Sequence, residues 1–313
     1  MKNVKIKKTD LLVSPLCMGG CPLGGYGWGD TVRQDLIDAV RTAIDNGINF
    51  FDTADTYGLG ESERTLAEAL GANSQRAVIT TKFGVRIENG KTFYDNSREY
   101  IFQAVEGSLK RLKRDCIDLY QVHYRDGKTP LCDVVESLER LKEQGKIRYY
   151  GLSNIHNEDE AELKQLKENP FVSFQDEYSL ACRKNESDMF NFRDSYEMTP
   201  FTWGSLGQGI LSGKYDKNCK FDSNDRRSRE IYVNFHGEKL LKNLEIVEVL
   251  KEIAAETGKS VSSVAIRWIL DYLKDSVVIV GAKSPKQVLQ NAEAMSFTLT
   301  DGQVERLNKI SKE

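Results

Sequence analysis

The stretch Asn49-Phe50-Phe51-Asp52-Thr53-Ala54-Asp55-Thr56-Tyr57-Gly58 changes character midway. Its first half is apolar and follows Gly47-Ile48, as a buried strand entering a sheet does. Its second half is polar, and it sets a carboxylate (Asp52) and a phenol (Tyr57) five positions apart where that strand ends. A phenol, with an ordinary pKa of about 10, is a poor proton donor at neutral pH unless a nearby cation lowers it. The stretch therefore implies a fold that gathers strand ends, with a cation among them.

Upstream, Val32, Leu36, Ile37, Val40, Ala43 and Ile44 predict one helical face, opened by a Thr31/Gln34 capping box and stopped by Gly47. The apolar run Pro15–Gly20 predicts a first strand, and the Gly- and aromatic-rich segment Gly24–Gly29 predicts the loop after it. Weak alternation from Val4 to Val13 around Thr9-Asp10 predicts a hairpin ahead of the main fold.

Downstream the same unit recurs. Leu66–Leu70 reads as helix before a strand at Ala77–Lys82. The stripe Ile101, Val105, Leu109, Leu112 precedes a strand at Ile117–His123. The stripe Leu131, Val134, Val135, Leu138, Leu141 stops at Gly145 before a strand at Ile147–Leu152. Further strands are predicted at Phe171–Gln175, Thr199–Trp203 and Val277–Gly281. Helices are expected over Leu244–Thr257, over Val261–Tyr272 and after Asp301. Eight strands alternating with helices predict the α/β class and a (β/α)8 TIM barrel, with an N-terminal β-hairpin and extra C-terminal helices. It is read as one domain spanning residues 1–313.

The 313 residues are 40% hydrophobic and 29% charged, with a formal net charge of −3, so no broad basic surface points to nucleic acid or an anionic membrane. There is no run of 18 apolar residues and no signal-peptide core near Met1, and a cytoplasmic protein is expected. Cys17 and Cys21 form the one close pair of six cysteines and are read as reduced thiols rather than metal ligands. No metal site is expected.

In a barrel of this kind, polar residues at the C-terminal strand ends read as chemistry. Asp52, Lys82, His123, Asn154, Gln175 and Trp203 all fall at or just past predicted strand ends. Lys82 is costly to bury unless paired, and Asp52 on the neighbouring strand is its natural partner. Lys82 held close to Tyr57 would lower the phenol pKa, and His123 would either donate a hydrogen bond to a carbonyl oxygen or help relay a proton while Tyr57 protonates that oxygen. Tyr26, Trp28, Phe83 and Tyr124 are candidates to line the pocket. The interval Tyr215–Lys239, with Arg226-Arg227-Ser228-Arg229, is either a loop folded over a bound cofactor or a mobile surface insertion.

On these motifs the chain resembles the aldo-keto reductase superfamily. Asp52–Gly58 is similar to that family's tyrosine motif, Gly151-Leu152-Ser153-Asn154 to its nicotinamide-binding strand end, and Gly209–Tyr215 to a further shared segment. The resemblance implies a metal-independent oxidoreductase that transfers hydride between NADP(H), with NAD(H) as the alternative, and a small-molecule carbonyl or alcohol. It implies Tyr57 as general acid–base supported by Asp52, Lys82 and His123.

By the same resemblance Ser153, Asn154 and Gln175 hold the nicotinamide carboxamide, and Trp203 stacks on the ring where the family usually has Tyr. Gly204, Ser205, Leu206, Gly207 and Gly209 approach the pyrophosphate, with Ser205 replacing the usual Pro; Gly19 and Gly20 lie near the cofactor. Gly281, Lys283, Gln287 and Asn291 take the adenosine end. Gln287 stands where NADPH-preferring members often carry Arg, leaving Lys283 as the 2′-phosphate contact. Two rivals follow: a nucleotide-binding regulatory subunit resembling potassium-channel β subunits, and a barrel lyase using Lys82 as a Schiff-base amine.

Overall fold

A computed structural model describes residues 3–312; Met1, Lys2 and Glu313, the ends of the predicted domain, lie outside the described residues. The hairpin is present as β1 (Val4–Lys5) and β2 (Leu12–Val13). There follow β3 (Leu16–Gly19), α1 (Arg33–Asp45), β4 (Phe50–Asp52), α2 (Glu61–Leu70) and β5 (Val78–Phe83). A second antiparallel hairpin, β6 (Val85–Glu88) with β7 (Lys91–Tyr94), leads to α3 (Arg98–Leu112), β8 (Ile117–Val122) and α4 (Leu131–Glu143). Next come β9 (Ile147–Ser153), α5 (Glu160–Lys164), β10 (Ser173–Glu177), α6 (Glu186–Ser195) and β11 (Thr199–Trp203). The chain ends with α7 (Gly237–Thr257), α8 (Val261–Leu273), β12 (Val277–Gly281), α9 (Pro285–Ala292) and α10 (Asp301–Ser311).

Among the described residues β3, β4, β5, β8, β9, β10, β11 and β12 pair in that order, all parallel, and β12 closes back on β3. This is the (β/α)8 barrel expected from the eight strand–helix units.

Alternation along each strand decides what faces inward. Cys17, Phe50, Leu119, Phe201, Val277 and Ile279 fill the lower barrel interior, joined by Ile6, Leu11 and Val13 from the hairpin, which plugs that end. Phe50 and Phe201 meet edge-on there with ring centroids 5.3 Å apart. One step further along, the same inward positions become polar: Asp52, Thr80, Lys82, Gln121, His123 and Gln175. The outward positions Phe51, Ile79, Phe83, Tyr120, Val122, Leu152 and Phe174 bury themselves under the helices. The barrel is thus closed by apolar packing below and by a polar network above.

Some local expectations change; the helix expected from Leu244 begins at Gly237. The Thr31/Gln34 capping box does not form: α1 starts at Arg33 with Val32 at the N-cap, no side chain caps it, and Val32 is 61% exposed rather than on the buried face. The start is held instead by Arg33, which reaches Glu61 and Glu68 on α2. The sixth barrel strand begins at Ser173, two residues later than Phe171, because Phe171 packs edge-on against Tyr150 in the outer layer. Phe83 is fully buried against Tyr120 and does not line the pocket, since Lys82 takes the inward position beside it.

Candidate active site

Lys82 and Asp52 face each other across adjacent strands, paired in the register Asp52–Thr80. Lys82 Nζ lies 2.6 and 2.7 Å from the two Asp52 carboxylate oxygens and 3.0 Å from the Thr53 carbonyl. Both side chains are buried, Lys82 completely. Gln175 donates to Asp52 Oδ1 at 2.9 Å and to Gln121 Oε1 at 3.0 Å, and Thr80 donates to the same Gln121 oxygen. An ion pair this deep persists only when its remaining polar atoms are satisfied, and this network does that.

Tyr57 follows β4 on a turn closed by its own N–H to the Ala54 carbonyl, and it keeps a partly exposed edge. Lys82 Nζ sits 5.1 Å from the Tyr57 ring centroid, and the His123 ring meets that ring edge-on at 5.8 Å. The four tetrad candidates are therefore brought together. The lowered phenol pKa is not found. Burial, and then the Asp52 carboxylate, push Tyr57 well above its ordinary value. The reason is geometric: Lys82 is engaged by Asp52 and Thr53, so Tyr57 faces a neutralised pair rather than a bare cation.

His123 is buried at the end of β8, its N–H donating to the Phe83 carbonyl at 2.8 Å. Burial, and then Lys82, hold its ring well below the usual imidazole range, so it is neutral. Its Nδ1 has no hydrogen-bond partner among the described residues. Tyr124 stacks on it at 5.1 Å and on Tyr94 at 4.9 Å.

The expected cofactor residues Ser153, Asn154, Gln175 and Trp203 stand at or next to neighbouring strand ends. Asn154 adopts left-handed backbone, φ 53°, and is pinned by three contacts. Its amide donates to the His123 carbonyl at 2.9 Å and to Ser153 Oγ at 3.1 Å, while Trp203 Nε1 donates to its Oδ1 at 3.1 Å. This anchors the Trp203 indole over the ends of β9 and β10. Beyond Trp203 the backbone turns left-handed at Gly204, Gly207, Gln208 and Gly209. At Gly207 a Cβ would also lie 2.8 Å from Ile210 and 2.9 Å from Ala181, so glycine is required twice over. The Gly207 and Gly209 N–H groups are donated within the turn, to the Gly204 and Leu206 carbonyls at 2.7 and 2.9 Å.

Leu206 shapes the same turn through its carbonyl, which accepts from the Gly209 and Leu211 N–H groups. Ser205 departs from the expectation: its hydroxyl is buried within 2.9 and 3.0 Å of the Thr202 and Ile279 carbonyls and ties β11 to β12 instead of facing the cleft. Gly19, at the end of β3, packs against Ile279. Gly20 is glycine for packing, because a Cβ there would lie 2.6 Å from the Asp52 carbonyl and 2.7 Å from Ser62 Oγ. Gly281 likewise makes room for Pro22.

At the far end of the mouth Lys283 Nζ donates to the Trp28 carbonyl at 2.7 Å, and Gln287 Oε1 accepts the Lys283 N–H at 2.7 Å at the start of α9. Asn291, on the same helix, is buried. Burial, and then Arg227 and Lys214, push Lys283 below its ordinary value, the mark of cations gathered at one place. The interval Tyr215–Lys239 is folded over this mouth. Arg226 N–H donates to the Gly27 carbonyl at 3.1 Å, and its guanidinium lies 5.1 Å from the Tyr26 ring centroid. Trp28 meets Tyr232 edge-on, and Arg227 is buried between Asp225 and the Tyr215 hydroxyl.

Sequence reasoning missed Gln121, and it named Arg227 only as part of the Tyr215–Lys239 interval, not as a buried cation. Gln121 was within reach, standing two positions before His123 and so on the same inward face; the placement of Arg227 had no local signal.

A family model described as the aldo/keto reductase family matches residues 15–312. Aldo-keto reductase YhdN of Bacillus subtilis is 32% identical over 313 residues, covering 99% of this chain and 93% of that protein. The NADH-specific methylglyoxal reductase of Escherichia coli is 27% identical over 328 residues, covering 100% of this chain and 99% of that protein. Among solved structures, that of the glycerol dehydrogenase of Gluconobacter oxydans matches with a TM-score of 0.89 at 30% identity, over 99% of this chain and 94% of its own. With the barrel, the strand-end residues and these likenesses all pointing one way, the chain belongs to the aldo/keto reductase family.

Proposed function

We propose that this protein reduces an aldehyde or ketone, or oxidises the corresponding alcohol, with NADP(H) as cofactor and Tyr57 as the general acid–base. The observation that carries the reading is the partly exposed Tyr57 phenol set beside neutral His123 and above the buried Lys82–Asp52 pair. The cofactor supplies the hydride when bound. Tyr57 holds its proton throughout the neutral range, the form a carbonyl oxygen needs from an acid; its raised pKa makes it a weaker donor, so the transfer waits on negative charge developing at that oxygen. His123, neutral, keeps one N–H with which to orient that oxygen. Asp52 and Lys82 hold the floor of the site rigid, and Gln175 braces them.

The chain also fits such a cofactor. The left-handed Gly204–Gly209 backbone, free of side chains at three positions, lets a pyrophosphate approach closely, and Ser153, Asn154 and Gln175 offer donors and acceptors to a carboxamide. Both Gln175 amide protons are engaged inside the barrel, so its part is to accept through Oε1. Trp203 presents a ring face to the nicotinamide. Lys283, with Lys214 and Arg227, favours the extra phosphate of NADP(H) over NAD(H). The NADH-specific name of the Escherichia coli relative keeps NAD(H) as the alternative.

Gln287→Arg is expected to raise the affinity for NADPH relative to NADH roughly tenfold, by adding a bidentate phosphate partner. It also removes the acceptor for the Lys283 N–H, so absolute affinities fall for both nucleotides while their ratio moves. Tryptophan-fluorescence titrations with each nucleotide measure the ratio; an unchanged ratio would show that position 287 does not read the 2′-phosphate.

The reading as a whole is tested by the same titrations on the native protein, followed by a carbonyl screen with the tighter nucleotide. Saturable binding and carbonyl-dependent nucleotide oxidation are expected. Tight binding with negligible turnover across aldehydes and ketones favours the regulatory-subunit rival. The lyase rival is disfavoured by the geometry, since Lys82 is fully buried and engaged by Asp52 and Thr53, with nothing left to attack a carbonyl. Borohydride trapping of a carbonyl on Lys82 without nucleotide would reverse that.

A further inference from the structure

At the C-terminal end of the barrel, near the Asn154–Trp203 contact in sequence, three side chains from three elements converge. His156 comes two residues after Asn154 in the loop that leaves β9. Asp176 follows Gln175 in β10, and Asp188 lies in the first turn of α6. His156 Nδ1 is 3.2 Å from Asp176 Oδ2 and 3.2 Å from Asp188 Oδ2, and one ligand atom from each lies within 4.8 Å of the other two.

Satisfaction of the remaining atoms is uneven in an informative way. Asp176 is 2% exposed. Its Oδ1 accepts from the Glu177 N–H at 2.6 Å and from Asn185 Nδ2 at 3.0 Å. Its Oδ2, buried and aimed at His156 and Asp188, has no hydrogen-bond partner among the described residues. Asp188 Oδ1 accepts from the Ser187 hydroxyl at 3.4 Å. The Asp159 N–H donates to the His156 carbonyl at 2.8 Å, and the Asp159 carboxylate accepts the His156 N–H at 2.8 Å, which fixes the loop that carries the ring. Two carboxylate oxygens facing one imidazole nitrogen call for positive charge, which a cation held among them would supply.

We propose that His156, Asp176 and Asp188 form a binding site for a divalent ion of the zinc class. With ligand bonds of about 2.0–2.2 Å, neighbouring ligands of a tetrahedral ion lie about 3.4 Å apart, close to the two 3.2 Å separations already present. One nitrogen and two carboxylate oxygens are ligands such an ion accepts. His156, 36% exposed at the side chain, leaves the fourth position open to water. A bound ion would clamp the exits of β9 and β10 to the start of α6, stiffening the segment that carries Asn154 and Gln175. The role is structural and separate from the hydride chemistry, so it stands whether or not the proposed reductase activity does.

The test strips the full-length protein with EDTA, then titrates it with Co2+ by visible absorption and with Zn2+ by calorimetry and thermal melting. One ion per chain, a tetrahedral Co2+ spectrum and a Zn2+-dependent rise in Tm are expected. His156→Gln and Asp188→Asn should each weaken binding roughly a hundredfold and abolish the Tm rise. Both replacements are near-isosteric, and unchanged melting without metal shows that the variants fold. Absence of Co2+ and Zn2+ binding in the native protein would overturn the site and leave the three side chains as an internal polar contact. Binding that survives in both variants would overturn it equally, by placing the ion elsewhere.

Discussion

Replacing Tyr57 with Phe is expected to lower kcat by about 10²- to 10⁴-fold, the usual contribution of a positioned proton donor, while nucleotide affinity stays nearly constant. The substitution removes one oxygen and keeps the ring. Its face toward Lys82 and its edge contact with His123 are carried by carbon atoms and remain. A proton-transfer role therefore predicts a loss confined to turnover, with kcat and kcat/KM falling together. Single-turnover kinetics alongside a nucleotide titration separate the two quantities. Parallel loss of nucleotide affinity and turnover would assign Tyr57 to packing of the mouth instead.

The second large effect is expected at Lys82. Lys82→Met leaves Asp52, 3% exposed, with Gln175 as its remaining side-chain donor. Breaking a buried pair from one side costs about 3–5 kcal/mol, because an uncompensated charge stays in the core. For a chain of this size that is a fall in Tm on the order of 10 °C. Adding Asp52→Asn removes the stranded charge, and the double variant Asp52→Asn/Lys82→Met should recover much of the lost stability without recovering activity. Thermal unfolding of the two variants decides it. If Lys82→Met melts like the native protein, the pair does not hold the barrel floor.

Much of this architecture is legible in the chain. Helical stripes such as Ile101, Val105, Leu109 and Leu112, and glycine stops such as Gly47 and Gly145, are local consequences of side-chain period and backbone freedom. The strands at Thr199–Trp203 and Val277–Gly281 stand where the sequence places them. Once a parallel barrel is read, strand-end position alone sends Asp52, Lys82, His123, Asn154, Gln175 and Trp203 to one face. Period-two alternation also decides that Lys82 points in and Phe83 points out, a step within reach of the sequence.

Contacts through space were decided only by barrel closure. Whether Lys82 lowers the Tyr57 pKa depends on whether Asp52 holds it first, which is a matter of ångströms between adjacent strands. The folding of Tyr215–Lys239 over the mouth rests on Arg226 meeting Gly27, and Trp28 meeting Tyr232, some 200 positions apart. Ser205 turns inward because Ile279, on the neighbouring strand, presents a carbonyl to it. His156, Asp176 and Asp188 carry no motif spacing and become a cluster only when β9, β10 and α6 converge. Period and strand order are properties of a chain read locally; charge compensation, loop closure and ligand geometry belong to neighbours the chain acquires when the eighth strand pairs with the first.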